Sequence, residues 1–389
     1  MRIVIWNSYY GTNFGGSETS VNVLLRGIQQ RGFKAALVTN GRRRGDVFNP
    51  YLPSLPPGIE VHCDSFPDLL LWKGPKAFAI DLWRYSRATL NLLSFLRRRR
   101  PDVVHLHLVT FDVFLLLLYR HFFKYRLVIG FRGSDLWDAK TSALVRFKVR
   151  LALRCADAIT SLSQHMTAYL RDEFGVHGVV CIPNGIDPEA LRSAAQHAAP
   201  VIPPDHFVYC GRLHYDKQIP RIIEIFMLCL DAGCDRNLFI IGDGPERDVI
   251  IRLICRYGLA GRVVVLGPIS YSAVLSTLAQ ARCLLLASTL EGLPNIVLEA
   301  MTLGIPVIAA AVGGLPELVA HGETGYLFPP ENTQMARDYI LRLAQDPEQA
   351  RAMGRRGAEV VCDRFPLAAA VNRHIELYES VLRNQRSHH

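Results

Sequence analysis

The sequence predicts an α/β protein built from two parallel-sheet domains, and three observations carry that reading. Its 389 residues exceed the roughly 250 to 300 at which a single hydrophobic core stops growing. Short β-branched runs alternate with amphipathic stretches through both halves, the pattern of strands joined by crossover helices. A proline-punctuated stretch near the middle interrupts the alternation. Hydrophobic residues make up 50% and charged residues 20%, which builds a core readily and leaves no large disordered region.

In the first half the candidate strands are Arg2 to Trp6, Ala35 to Thr39, Val103 to Leu106, Leu127 to Gly130 and Ala158 to Ser161, with helical periodicity from Ser17 to Arg31. The second half repeats the scheme with Phe207 to Cys210, Leu238 to Ile241, Val263 to Leu266, Cys283 to Ala287, Val307 to Ala310 and Gly325 to Phe328. Between them Pro183, Gly185, Pro188, Pro200, Pro203 and Pro204 mark a stretch with no core pattern, so the boundary is placed near 190 to 204. The expected division is a first domain over 1–190, a second over 191–367, and a closing helix over 368–385. That helix presents Val371, Ile375, Tyr378 and Leu382 at helical spacing and is expected to cross back to the first domain. Residues 386–389 read as a tag remnant.

The longest unbroken apolar run, Val113 to Tyr119, is far below the ~20 residues that cross a bilayer. With no leader-like segment at the start, a cytoplasmic protein is expected. Nine cysteines without a C-x-x-C pair are expected to be buried thiols in a reducing compartment rather than disulfides or zinc ligands. The net charge of +9 is uneven: residues 1–190 carry 25 Lys/Arg against 15 Asp/Glu. Clusters at Arg42–Arg44 and Arg97–Arg100 suit an anionic membrane surface or a polyanionic acceptor, or equally the C-terminal end of a helix. No nucleic-acid-reading motif accompanies them.

The chemistry-bearing segments all sit where strands should end. The loop from Gly11 through Gly15 and Gly16 to Ser17 and Glu18 offers backbone N–H groups to a phosphate, but lacks the lysine of a P-loop. Gly211-Arg212-Leu213, with Lys217 just beyond, puts two cations at a strand's carboxyl end, suited to a diphosphate. In Ser288 to Ala300, Pro294 should start a helix that Gly304 ends, so Glu291 falls in the preceding loop and Glu299 within the helix. A loop carboxylate there suits sugar hydroxyls, the helical one a ribose diol, and the first-turn amides a phosphate. Glycine turns at Gly242-Asp-Gly244-Pro-Glu246, Gly267 and Gly313-Gly314-Leu-Pro-Glu317 surround this segment.

Together these motifs, with Arg132-Gly133-Ser-Asp135 and Pro183-Asn184-Gly185-Ile-Asp187, resemble family 4 of the retaining glycosyltransferases over nearly the whole chain. The resemblance implies a GT-B fold, two Rossmann-like parallel α/β domains facing a central cleft, and transfer of a sugar from a nucleotide diphosphate donor to a hydroxyl. By that similarity Arg212 and Lys217 hold the diphosphate, and Gly15 and Gly16 approach it from the opposite domain. Glu299 binds the ribose and Glu291 contacts the transferred sugar. Gly242, Gly244, Gly267, Gly292, Leu293, Pro294, Asn295 and Ile296 line the donor site. The family implies retention through a front-face displacement without metal, cofactor or protein nucleophile, unlike glycosidases with carboxylates roughly 5 Å apart. UDP is the expected nucleotide, GDP the second choice, and a glycan or lipid-linked acceptor of the cell envelope the expected partner.

Two departures bear on this. Arg132 stands where the family usually has histidine, and Gln218 where a glycine follows the lysine. A guanidinium is no general base, so Arg132, with Asp135, is expected either to bind an anionic group or to pair with Asp135 or Asp138. His105 and His107 alternate on one strand and face one side, His107 toward the cleft with Ser17 and Glu18 as acceptor-side candidates; without a third ligand they form no metal site. The alternatives are a nucleotide-sugar sensor with a degenerate site, and a sugar-nucleotide epimerase or phosphorylase, for which the residues supply no further acid/base pair or cofactor lysine.

Overall fold

The computed structural model describes residues 1–8, 16–39, 55–63, 75–110, 112–133, 135–137 and 142–386. Gly15, Arg42–Arg44, Ser134, Asp138 and the last three residues lie outside the described residues.

Two parallel sheets form, as expected. The first contains β1 (Arg2–Asn7), β2 (Lys34–Thr39), β3 (Glu60–Cys63), β4 (Val103–His107), β5 (Arg126–Gly130), β6 (Ala158–Ser161) and β7 (Val180–Cys181), in the order β3-β2-β1-β4-β5-β6-β7. The second contains β8 (His206–Cys210), β9 (Leu238–Ile241), β10 (Val263–Gly267), β11 (Ala281–Leu286), β12 (Val307–Ala310) and β13 (Gly325–Phe328), in the order β10-β9-β8-β11-β12-β13. Among the described residues the strands of both sheets pair in parallel, for example Val4 beside Val104 and Val208 beside Leu284. Both sheets reverse strand order beside their first strand, and the crevice outside the carboxyl ends at such a point is where open α/β sheets take ligands.

The helices covering the first sheet are α1 (Gly16–Gln30), α2 (Pro75–Arg99), α3 (Asp112–Phe123), α4 (Ala143–Cys155) and α5 (Gln164–Phe174). Then come α6 (Pro188–Gln196), α7 (Ile219–Asp231), α8 (Arg247–Arg256), α9 (Tyr271–Leu278), α10 (Asn295–Thr302), α11 (Leu315–Leu318), α12 (Thr333–Gln345), α13 (Pro347–Arg364) and α14 (Leu367–Arg386). Central strands such as β4 (Val-Val-His-Leu-His) and β12 (Val-Ile-Ala-Ala) are buried at every residue because helices cover both faces, so even the two histidines of β4 are enclosed.

The proline-rich middle does carry structure, contrary to the expectation of a patternless linker. Asp187 caps α6 by accepting from the Ala190 amide, Pro188 occupies the first turn where its missing N–H costs nothing, and Leu191 and Ala195 are buried. α6 packs on α9 and α10, in the layer of the second sheet. The closing helix α14 returns to the first sheet: Val371, Ile375, Tyr378 and Val381 share a core with Ile3, Ile5, Val21 and Leu25. The cysteines are all free, but the expectation that they are buried fails in part. Cys229 and Cys283 are buried, while Cys255, on the polar side of α8, is exposed. Arg97–Arg99 do end a helix, where cations offset its dipole, and Arg98 and Arg99 meet Glu60 of β3. Among the described residues no helix is long and apolar enough to cross a membrane.

Candidate active site

The second domain's half of the site begins where β8 ends. The Gly211-Arg212-Leu213 turn is pinned on both sides: Gly211 N–H donates to the Ile241 carbonyl at 3.0 Å and Leu213 N–H to that of Asp243 at 2.9 Å. The Tyr209 hydroxyl donates to the Arg212 carbonyl at 2.8 Å. Gly242 makes this packing possible, because a Cβ there would lie 2.0 Å from the Gly211 carbonyl oxygen, on a backbone with φ of 132°. The Gly242 and Gly244 turn therefore backs the Arg212 turn. Arg212 itself is half-buried, and its guanidinium has no hydrogen bond or ion pair among the described residues.

Lys217 ends a short 3-10 turn (Tyr215–Lys217). Its Nζ lies 2.9 Å from Glu291 Oε1 and 3.7 Å from Asp216 Oδ2. Burial works to lower the lysine's pKa, but Glu291 and Asp216 outweigh it and the net direction is upward, so the ammonium stays charged. Ser288 Oγ donates to the same Glu291 oxygen at 2.7 Å. Glu291 is thus an ion-paired, doubly hydrogen-bonded carboxylate with one oxygen left over, which suits holding a hydroxyl and not attacking carbon.

α10 starts at Asn295 after Pro294, whose side chain cannot cap it, so first-turn amides remain available to an anion. Glu299 lies one turn in and is buried, its Oε1 accepting from the Tyr271 hydroxyl at 2.9 Å. Burial pushes its carboxyl up to about 7, against the Tyr271 hydrogen bond, which lowers it.

The first domain contributes Arg132. Asp135 does not pair with its guanidinium. The carboxylate instead accepts the backbone amides of Arg132, Gly133, Leu136 and Val109 at 3.1 to 3.3 Å, and burial raises its pKa to about 6. Asp135 therefore shapes the loop. The guanidinium donates to Asn184 Oδ1 at 2.9 Å and to His107 Nδ1 at 2.6 Å. Since arginine only donates, His107 must hold its proton on Nε2, 3.3 Å from His105 Nδ1, which also faces the Tyr378 hydroxyl at 2.7 Å. Burial first, and Arg132 second for His107, keep both rings neutral.

The two halves meet. Asn184 Nδ2 donates to the Leu293 carbonyl at 3.3 Å, and Asn295 Nδ2 to Ser20 Oγ of α1 at 2.8 Å. A Cβ at Gly292 would stand 2.6 Å from the Arg132 carbonyl oxygen. Glu317 accepts from the amides of Gln164 and His165 at 2.9 and 2.8 Å, so the second domain caps α5 of the first.

The turn after β8 with Arg212 and Lys217, the loop from Glu291, and the start of α10 with Glu299 thus stand at the carboxyl ends of the paired strands β8 and β11, with Arg132 and His107 on the first domain's side of the Gly292 loop. Gly16 opens α1, and Glu18 is buried in that helix rather than displayed in the cleft. Gly267 ends β10 with φ of 75° in open space. Sequence reasoning gave no site role to Tyr271 or Asp216, took Tyr378 only as a packing residue of the closing helix and Ser288 only as the start of a motif, and met Glu317 only as the end of a glycine turn. The polar type of each was visible, but the contact that gives it a role spans up to 273 residues.

Family models match both halves: Glycosyltransferase Family 4 over residues 14–190 and Glycosyl transferases group 1 over residues 195–360. Among curated proteins, N-acetyl-alpha-D-glucosaminyl L-malate synthase of Bacillus anthracis is 33% identical over 171 residues, covering 44% of this chain and 44% of that protein's length. Sucrose-phosphate synthase of Thermosynechococcus elongatus superposes with a TM-score of 0.80 at 20% identity, covering 99% of this chain and 100% of that one. HepE of Anabaena, solved with UDP and glucose, gives 0.76 at 20% identity, covering 98% and 100%. With both halves matched in order and both sheets arranged as the fold requires, the chain belongs to the family 4 glycosyltransferases of the GT-B type.

Proposed function

We propose that the protein transfers a hexosyl group from a UDP-sugar to a hydroxyl of a cell-envelope glycan or glycolipid, retaining the anomeric configuration and needing no metal. The observation that carries this is Arg212, half-buried and unpaired among the described residues, beside Lys217 and the start of α10, which no side chain caps among those residues. Two side-chain cations and a helix N-terminus supply the counter-charge that a departing diphosphate needs, the role a divalent ion fills elsewhere. Glu299 lies one helical turn beyond, in reach of a ribose diol, and Glu291 presents its remaining oxygen to the sugar. In this reading Lys217 serves twice, fixing Glu291 and neutralising phosphate. Retention follows from a front-face displacement: the acceptor oxygen bonds to the anomeric carbon as the bond to the diphosphate breaks, and the acceptor proton passes to the departing phosphate oxygen. UDP is favoured because HepE, which shares the fold, holds UDP.

Calorimetric titration with UDP, GDP and ADP in EDTA tests the assignment. UDP is expected to bind without metal, and Arg212→Ala to weaken it by about 1.5 to 3 kcal/mol, the worth of a charge-assisted contact. Unchanged affinity in the variant would remove Arg212 from the phosphate site. Turnover of a labelled UDP-sugar with membrane extract separates a transferase from a sensor.

A further inference from the structure

Three helices on one face of the first sheet turn apolar and cationic side chains outward, and two of them end at a single cationic pocket. α2, α3 and α4 pack side by side. On α2, Trp83, Arg87, Leu90 and Arg97 follow helical spacing and are all exposed, with the Arg87 guanidinium 5.6 Å from the Trp83 ring centroid. On α3, Leu118 and Phe122 are one turn apart and 53% and 66% exposed. α4 adds exposed Leu144 and Phe147 together with exposed Arg150 and Arg154.

α2 and α3 both end at the amino-terminal edge of the sheet, the edge away from the cleft. There a cavity of about 420 Å³ is lined by Arg97, Arg100, Lys124 and Phe122, with the Arg2–Asp102 ion pair in its wall. Arg100 and Lys124 directly follow their helices with φ of 43° and 54°, the left-handed region where a helix end favours glycine. Arg97, Arg100 and Lys124 form no ion pair among the described residues. Offsetting helix dipoles accounts for cations at these ends, but not for a strained backbone that holds two of them around one cavity beside an exposed phenylalanine.

We propose that this face docks on an anionic phospholipid bilayer, with the pocket taking lipid phosphate and Trp83, Leu118 and Phe122 entering the boundary between headgroups and acyl chains. Charge complementarity selects the occupant: the half of the chain that bears this face holds 25 Lys/Arg against 15 Asp/Glu. Aromatic and aliphatic side chains interleaved with arginine along helices lying on a surface match that boundary, where amphipathic helices rest in the membrane plane. The assignment is independent of the transfer chemistry, because the pocket lies at the edge of the sheet opposite the cleft and none of the side chains placed in the bilayer belongs to the donor site.

Cosedimentation of the full chain with vesicles tests it without any sugar transfer. Vesicles of phosphatidylcholine mixed with phosphatidylglycerol are expected to bind the protein, weakening with salt, and vesicles of phosphatidylcholine alone are not. The triple variant Arg97→Ala, Arg100→Ala, Lys124→Ala is expected to lower partitioning on the order of a hundredfold. Leu118→Ser with Phe122→Ser is expected to lower it at low and high salt alike. Far-UV circular dichroism and Tm should match the parent in both, since these side chains are exposed. No binding to mixed vesicles, equal binding to both vesicle types, or binding that survives the triple variant overturns the proposal. So does stabilisation by inorganic phosphate through the same three cations without vesicle binding, which would make the pocket a site for a soluble anion.

Discussion

At the scale of single residues, burial sets the chemistry, and Glu299 shows it most directly. Its carboxyl is raised to about 7 because the ionised form loses water inside α10 and recovers only the Tyr271 hydrogen bond. In the proposed role the ionised form accepts the ribose hydroxyls, so UDP affinity is expected to fall as pH drops from about 8 to about 6. Glu299→Gln should bind UDP more weakly and with a flat pH profile over that window. The stability sign is opposite. The unfolded carboxyl ionises near 4.5 while the folded one keeps its proton to about 7. Stability from this group is therefore present at low pH and lost as pH rises between those values, by on the order of 3 kcal/mol. Calorimetric titration across pH, paired with thermal melts of parent and variant, checks both slopes. Arg132 sits at the opposite extreme: burial lowers its pKa only to about 10, so it remains a cation against neutral His107 and Asn184.

At the scale of elements, helix ends do the positioning. α5 carries its own cap in Ser163, and two further first-turn amides are taken by Glu317 from the other domain. A carboxylate at a helix N-terminus contributes about 1 to 2 kcal/mol, here only while the domains are together. Glu317→Ala is accordingly expected to lower kcat by roughly five- to thirtyfold while leaving UDP affinity alone, because Arg212 and Glu299 are held from elsewhere. Steady-state kinetics beside a UDP titration checks it, and an unchanged kcat would mean that turnover does not use this closed contact. Local backbone preferences also decide which elements are legible in the sequence. Strands covered on both faces announce themselves as apolar runs, and Pro294 with Gly304 marks α10 because their backbone preferences act locally. β3, with every residue half-buried, and the two-residue β7 leave no such pattern. α6 is hidden because its cap and first-turn proline look like linker punctuation until its two buried residues find a partner. In the site, the motif residues Arg212, Lys217, Glu291 and Glu299 were legible one by one. The 2.9 Å contact joining Lys217 to Glu291 was not, since 74 residues separate them and only the β8–β11 pairing brings them together.

At the scale of the whole molecule, the two domains are joined by chain crossings that run side by side. The outgoing segment at Ile186 and the returning one at Phe365 to Leu367 exchange backbone hydrogen bonds: Ile186 N–H to the Phe365 carbonyl at 2.9 Å, and Leu367 N–H to the Ile186 carbonyl at 2.8 Å. Any rotation of one sheet against the other must pass through this paired hinge, and Gly185 lets it close. A Cβ at Gly185 would stand 2.7 Å from Leu367 Cα and 2.9 Å from Ala370 Cβ, contacts too short to absorb without moving the start of α14. Gly185→Val is therefore expected to cost about 1 to 3 kcal/mol by overpacking. The cost falls on the joint and not on either core, so the variant should still bind UDP within about twofold of the parent, because Arg212, Lys217 and Glu299 are held by contacts within the second domain. Small-angle scattering with UDP and acceptor present is expected to report a more open pair of domains, and kcat to fall. If the variant instead loses UDP binding together with turnover, the hinge and the nucleotide site form one coupled unit and the closing helix is part of the donor site's architecture.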